Sequence, residues 1–267
     1  MALVALLFVA NQTNDDSESS LAASPAKTQG DRLDGIVFGT VTNPPQSTTS
    51  TTPAAENQTG LNIEARAVSV EAVAAAREQL DDVRVVSEFT GFTDYVRDDY
   101  TGGGWPDSDG DCQSDRHEIL IEESLVEPTL DADGCRVLSG LWIDAYDGTT
   151  YTEADQVTID HFVPLAAAHR AGGWEWDIEQ KRAFSSDIEF PASHAAVGSA
   201  VNQSKADRGP EEWRPPRETA WCWYAVDWVA VKSRWDLAFT EAEVDAVIEM
   251  LDTCEELVDS AVAPTIE

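Results

Sequence analysis

Positive charge is scarce in this sequence. Its 267 residues include 17 Lys and Arg against 50 Asp and Glu, which gives a formal net charge of −33 at pH 7. This balance excludes a broadly basic surface, and solubility in ordinary buffer does not require so much negative charge. At about 1 M salt the Debye length falls to about 3 Å, which screens the self-repulsion. The composition therefore suits a halophilic protein. A partly disordered acidic chain is the alternative, but the nine tryptophans argue against it, because disordered segments contain few aromatic residues.

The cysteines lack the spacing of a metal site. The four are Cys112, Cys135, Cys222 and Cys254, and none forms a Cys-x-x-Cys pair, so a zinc site is disfavoured. An even number suits two disulfides in an exported protein. Of the three possible connectivities we favour Cys112 with Cys135 and Cys222 with Cys254, because each closes a local loop. Four buried free thiols, as in a reducing cytosol, are the alternative.

No stretch of the sequence reaches transmembrane length. The apolar run at residues 1–10 has the length of a signal-peptide core but is too short to span a bilayer, and it lacks a basic segment before it. We interpret it as a signal-peptide remnant. The expected localisation is secreted or extracellular, with tethering to the cell surface through the N-terminus left open and no membrane span in the mature form.

Composition divides the rest of the chain. Residues 11–62 are rich in Ser, Thr and Pro and show no apolar periodicity, which predicts a disordered linker. We expect a folded α+β domain over 63–258 and a tail over 259–267. Apolar periodicity and strand-like alternation predict the following elements: helices over Val68 to Leu80, Asp115 to Glu122, Ala225 to Ser233 and Glu241 to Leu257, and a strand over Arg84 to Phe92.

A β-rich run, from Val157 to Leu165, carries an adjacent Asp160 and His161. Neighbouring residues of a strand face opposite ways, so one of these side chains can approach a metal while the other acts on water. Asn202 and Lys205 lie three residues apart on a predicted short helix, and therefore on one face. A carboxylate and an amide oxygen suit Mg²⁺. Fingerprints of rival enzymes, such as a Gly-rich phosphate loop or a Gly-x-Ser-x-Gly elbow, are missing.

The order of several short motifs resembles one family. The motifs are Asp111-Cys112, Asp115-Arg116, Cys135-Arg-Val-Leu-Ser-Gly140, Trp142-Ile-Asp-Ala-Tyr-Asp-Gly148, Asp160-His161-x-x-Pro164-Leu165, Arg182-Ala-Phe184 with Asp187, Asn202-Gln-Ser-Lys205-x-Asp207, Trp213-Arg-Pro-Pro216, Cys222-x-Tyr224-Ala225, Val231-Lys232 and Cys254. Together they resemble the HNH endonucleases, and more specifically the secreted DUF1524 group related to the GmrSD C-terminal domain. The resemblance implies a ββα-metal (HNH, or His-Me finger) core with surrounding helices and two disulfides.

The resemblance also implies a metal-dependent nuclease that hydrolyses DNA, with RNA as an alternative substrate. His161 would be the general base. Asp160 and Asn202 would hold one divalent ion, Mg²⁺ in preference to Mn²⁺, against the scissile phosphate. Lys205 would contact a phosphate, and Arg116 is a weaker candidate for that contact.

One position departs from the family pattern. The family places an Asn nine residues before the helix Asn to orient the base histidine, and here that position is Ser193. A serine oxygen can accept a hydrogen bond from the imidazole, and Glu189 or His194 can substitute if the loop folds inward. We expect further arginines to line a substrate groove: Arg170, Arg182, Arg208 and Arg214.

Two rival functions stay open. A non-catalytic exported binding module on an HNH scaffold would explain Ser193. A calcium-stabilised surface adhesion protein would use the alternating carboxylates of Asp107, Asp109 and Asp111. The sixth position of that loop needs Gly for its turn but is Cys112, so the sequence favours a solvated acidic loop over a Ca²⁺ site.

Overall fold

The computed structural model describes residues 68–261, and their side chains through residue 254. The predicted signal remnant, the linker and residues 262–267 of the predicted tail lie outside this range. All described residues belong to one compact unit, Thr59–Glu267. Within the described range, no helix combines the length and the apolar character needed to cross a membrane.

The described residues form a mixed α/β structure, which confirms the predicted class in its coarse form. The helices are α1 (Val70–Asp82), α2 (Arg97–Thr101), α3 (Asp115–Glu122), α4 (Leu165–Arg170), α5 (Ile178–Ser185), α6 (Ser199–Lys205), α7 (Trp221–Arg234) and α8 (Glu241–Ala261). The strands are β1 (Val85–Val86), β2 (Thr129–Leu130), β3 (Val137–Ile143), β4 (Thr150–Glu153), β5 (Val157–His161), β6 (His194–Gly198) and β7 (Phe239–Thr240).

Three small sheets result. Strands β2, β3 and β4 form one antiparallel sheet, β5 pairs antiparallel with β6, and β1 pairs parallel with β7. The strand predicted over Arg84 to Phe92 is therefore reduced to the two residues of β1. Helix α8 continues to Ala261, past the predicted end at Leu257, and into the segment predicted as a tail. No proline occurs there before Pro264, so nothing in the backbone chemistry ends the helix earlier.

The larger hydrophobic core lies around α7, which packs against α1 and α8. Helix α7 begins at Trp221, four residues before its predicted start, because its apolar residues lie on all sides and leave no clear polar face to mark its ends. Trp223 and Trp228 are almost fully buried, so these tryptophans pack in the core as predicted. The predicted disulfide between Cys222 and Cys254 is confirmed and joins α7 to α8.

A second core lies between α3, the three-stranded sheet and β5–β6. Leu120 and Trp142 are its most buried members, and the Trp142 indole donates to the Leu120 carbonyl at 2.9 Å. The predicted Cys112–Cys135 disulfide is also confirmed. It ties the acidic loop before α3 to the turn before β3.

The pair β5–β6 positions the candidate site. Asp160 stands opposite Ala195 and His161 opposite His194, at the end of the ladder. The connection between the two strands carries α4 and α5, and α6 follows β6 directly and contacts both strands. Helix α6 starts beside Val157, at the beginning of β5, and Lys205 in its last turn reaches Asp160 and the His161 carbonyl at the end of that strand.

Candidate active site

A cavity of about 610 Å³ opens between β5 and α6, and we call it the first cavity. Asp160, His161 and Asn202 all line it. The sequence placed Asp160 and His161 on one strand and Asn202 on a helix about 40 positions later. The fold brings them to one wall.

Asp160 uses one of its two carboxylate oxygens for internal contacts. Oδ2 accepts from the Tyr146 hydroxyl at 2.7 Å and from Lys205 Nζ at 2.6 Å. Burial raises the pKa of Asp160, and the Lys205 ammonium and the Tyr146 hydroxyl oppose that rise. No described residue donates to Oδ1. The carboxylate is thus fixed in orientation while one oxygen is left for another partner.

Lys205 is fully buried. Besides Asp160, its ammonium contacts the His161 carbonyl at 3.2 Å. Burial lowers the pKa of Lys205, and the Asp160 carboxylate opposes that change. The predicted phosphate contact is therefore wrong, because a side chain without exposed surface cannot reach a substrate.

Arg116 also points into the protein. Its guanidinium donates to the carbonyls of Ala154 and Val157, at 2.9 and 2.8 Å. These bonds fasten α3 to the turn between β4 and β5. One guanidinium nitrogen is therefore committed to the backbone, and the predicted contact of Arg116 with a phosphate stays a prediction.

The buried His161 ring has a defined tautomer. Its Nε2 lies 3.0 Å from the Ser185 carbonyl oxygen and 3.2 Å from the Ser185 hydroxyl. A carbonyl only accepts, so Nε2 carries the hydrogen and Nδ1 keeps its lone pair. No described residue donates to Nδ1. Burial lowers the pKa of His161 well below its usual range, which keeps the ring neutral at pH 7.

Two rings hold His161 in place. The Trp105 indole stacks on it with centroids 5.1 Å apart and planes 7° apart. His194 meets it edge-on at 5.0 Å. The sequence analysis offered His194 as a neighbour of the imidazole, but it did not predict Trp105, because no spacing rule connects that Gly-rich loop to β5.

Ser193 does not contact His161. Its hydroxyl donates to Asp187 at 3.2 Å, and its carbonyl accepts from the Phe162 amide. The prediction that Ser193 orients the imidazole is therefore wrong in its geometry. The Ser185 carbonyl, at the end of α5, makes that contact instead, and a backbone acceptor leaves no signal in side-chain identity.

The arginine nearest the site was not among those expected. Arg97, at the start of α2, lines the first cavity beside His161. Arg170 is ion-paired with Asp207 at 2.7 Å, and Arg214 with Glu249 at 2.6 Å. Arg208 donates to the Lys205 carbonyl, whereas Arg182 lines a different cavity. Of the predicted groove residues, Arg182 alone has an exposed side chain at a cavity wall in the described part of the chain.

The acidic loop gathers its carboxylates. Oxygens of Asp107, Asp109 and Asp111 lie within 4.8 Å of one another, and all three residues are exposed. They accept from backbone amides of the same loop, for example from Gly110 and Cys112 on Asp107. These bonds account for the shape of the loop. The preference for a solvated acidic loop over a Ca²⁺ site stays a prediction.

We expect His194 to make the fold less stable in mild acid. Burial lowers its pKa to about 4, from an ordinary value of 6.5, while the Ser185 carbonyl and the charges of Asp187 and Asp115 oppose that shift. The unfolded chain takes up this proton near pH 6.5 and the folded chain only near pH 4. The free energy of unfolding should therefore fall across that window, by up to about 1.4 kcal/mol per pH unit, and His194 adds no slope above it.

Urea unfolding at about pH 7, 6 and 5 measures that slope in the wild type and in His194→Gln. The variant should start less stable and lose less stability towards acid, because the carboxylates that titrate are common to both proteins. Equal slopes in the two proteins would contradict the assignment.

Comparison with known proteins places the chain in a family. It is 40% identical over 161 residues to a protein of Arthroderma benhamiae described as "Uncharacterized secreted protein", and the match covers 60% of this chain and 76% of the relative. The chain belongs to the same family as that secreted protein. The protein is secreted, as predicted, and its two disulfides agree with that location. No protein-family model matches the chain, and no solved structure matches it.

Proposed function

We propose that this protein is a secreted, metal-dependent endonuclease of the HNH type that hydrolyses phosphodiester bonds of DNA, with RNA as an alternative substrate. One observation carries the proposal: Asp160, His161 and Asn202 line the same cavity, and the imidazole of His161 is neutral. Metal-assisted hydrolysis needs ligands for a divalent ion and a general base that accepts a proton from water. Asp160 and Asn202 are candidates for the first role and the unprotonated imidazole nitrogen for the second.

The local topology supports an HNH-type scaffold. Strands β5 and β6 are antiparallel, α6 follows β6 directly, and the candidate base ends β5. This order is the ββα arrangement that the sequence resemblance implies. The connection between β5 and β6 contains α4 and α5, and the end of α5 supplies the Ser185 carbonyl that orients His161.

The residues present fit one Mg²⁺ or Mn²⁺ ion. Asp160 offers Oδ1 and Asn202 offers its amide oxygen, which are hard donors, and Mg²⁺ takes few protein ligands while keeping several waters. Tyr146 and Lys205 hold the Asp160 carboxylate through its other oxygen. When bound, the ion would stabilise the charge that develops on the phosphate and the leaving oxygen.

His161 would act at Nδ1. This nitrogen takes the proton of a water as the water oxygen bonds to phosphorus and the bond from phosphorus to the leaving oxygen breaks. The Nε2–H donates to Ser185, so the carbonyl stabilises the positive charge that the ring acquires. Arg97 lies at the same cavity and offers a counter-charge to the phosphate on an otherwise acidic chain.

Digestion in high salt of plasmid DNA and of a single-stranded DNA oligonucleotide tests the function. We expect cleavage with Mg²⁺ or Mn²⁺, loss of cleavage with a chelator, and recovery when the metal is returned. Asn202→Ala should raise the Mg²⁺ concentration needed for half-maximal rate by roughly 10-fold or more, because it removes one of two protein ligands. Gln180→Ala, an exposed amide on α5, is the control and should leave that concentration unchanged.

Two results would contradict the nuclease. One is wild-type protein that cuts no nucleic acid at any metal concentration, and the other is cleavage that persists in the chelator. A wild type that binds nucleic acid without cutting it would favour the alternative function, an exported binding module. That alternative is suggested by Ser193, whose hydroxyl bonds to Asp187 instead of orienting His161.

A further inference from the structure

Two more cavities lie close to the first, and the nearer of them also borders His161. The second, of about 160 Å³, shares Arg97 and His161 with the first cavity. The third, of about 720 Å³, shares Gly104 and Trp105 with the second. The shared residues place the three cavities next to one another in a row past the candidate base, and we call this row the groove.

The third cavity differs in charge from the rest of the molecule. No Asp or Glu is among the residues that line it, although the chain contains 50 of them. Arg182 lies at its wall with an exposed side chain. In a protein this acidic, a wall without carboxylates and with a free guanidinium is a local site for an anion.

The shape of the third cavity suits a planar group beside that anion. Trp105 lines it, and the indole stacks on His161. The wall beside Gly103 and Gly104 is open, since a Cβ built on either residue meets no other atom within 4 Å. Aromatic side chains stack on nucleic-acid bases with little preference for sequence. Phosphate and base are thus accommodated side by side.

We propose, given the nuclease function above, that the third cavity binds the nucleotide next to the scissile phosphate. Arg182 contacts its phosphate and Trp105 stacks on its base. The substrate is therefore an unpaired strand that runs along the groove from the third cavity, past His161, to the first. Cavities of about 300–1,000 Å³ hold small-molecule groups, and a base pair inside a duplex cannot enter one.

Two substrates separate this subsite from the chemistry. A single-stranded oligonucleotide fills the groove, whereas bis(4-nitrophenyl) phosphate needs only the site of the scissile bond. The quantity to measure is the ratio of kcat/KM for the oligonucleotide to kcat/KM for the small diester. Arg182→Gln should lower that ratio about 10-fold, as expected for the loss of a charged hydrogen bond. Arg136→Gln removes the same charge from an exposed position outside the groove and should leave the ratio unchanged.

Gly104→Leu is a second, independent variant. It places a side chain at the wall shared by the second and third cavities, in open space and without backbone strain, because Gly104 is not among the positive-φ residues. It should also lower the ratio, with the melting temperature close to that of the wild type. A hairpin duplex of the same sequence should be cut with a kcat/KM roughly 10-fold below that of the single strand.

Failure of the proposed subsite and failure of the proposed nuclease function give different results. An unchanged ratio in both Arg182→Gln and Gly104→Leu, or equal cleavage of duplex and single strand, would overturn the subsite while leaving the nuclease intact. If the wild type cuts neither substrate, the nuclease function fails. Fluorescence anisotropy with a labelled single strand then decides the subsite: weaker binding by Arg182→Gln than by Arg136→Gln supports it, and equal binding overturns it.

Discussion

Replacing His161 with Ala is expected to lower kcat for Mg²⁺-dependent cleavage roughly 10²- to 10⁴-fold, the usual contribution of a general base. The Nδ1 lone pair faces no donor in the described part of the chain, while Nε2–H is held by Ser185. Alanine removes the proton acceptor but leaves Asp160 and Asn202, so metal binding should persist. The measurement is the single-turnover rate of cleavage of a single-stranded oligonucleotide at saturating Mg²⁺, with Mg²⁺ affinity determined in parallel.

Two comparisons make this result specific. Added imidazole should restore part of the rate of His161→Ala, because the lost ring leaves space between Trp105 and His194. His117→Gln changes a histidine on α3 that accepts from the Val137 amide, and it should cut at the wild-type rate. A rate for His161→Ala equal to that of the wild type would remove His161 from the reaction.

Lys205→Met is expected to lower the free energy of unfolding by about 3–5 kcal/mol, the usual cost of breaking a buried ion pair from one side. Lys205 has no exposed surface and Asp160 is 5% exposed, so water cannot replace the lost ammonium. The Asp160 carboxylate would keep the Tyr146 hydroxyl as its remaining donor. Urea unfolding of the variant at neutral pH measures the loss.

A double-mutant cycle tests whether the pair is the cause. Asp160→Asn with Lys205→Met leaves no uncompensated charge, so the double variant should lose less than the sum of the two single variants. Arg170→Met breaks an exposed pair with Asp207 and should cost at most about 1 kcal/mol. A loss in Lys205→Met no larger than that of Arg170→Met, or additive single losses, would contradict the buried pair.

Local pattern was enough to predict several parts of the fold. The bounds of α3 agree with the prediction, α1 begins two residues after its predicted start because Ser69 caps it, and both disulfides pair as the local loops indicated. Each depends on chemistry close in sequence: a capping hydroxyl, apolar periodicity, or a short loop. Helix α7 was placed less well, because burial on all sides erases the periodicity that marks its first turn.

The composition of the candidate site was predicted better than its contacts. Asp160, His161 and Asn202 were predicted from residue type and order, and they share a cavity. Lys205, Arg116 and Ser193 were assigned to substrate or base, and all three bond to protein groups. Residue type states what a side chain can bind, but burial decides which partner it meets.

Export, paired cysteines and the ordered Asp160, His161 and Asn202 could be inferred from the chain alone, since each follows from neighbouring residues or their order. The tautomer of His161, the free oxygen of Asp160 and the groove past Trp105 depend on contacts between segments far apart in sequence. The acceptor for His161 is a backbone carbonyl, which every residue possesses. Only the tertiary structure, which brings the end of α5 to the His161 ring, could select the one at Ser185.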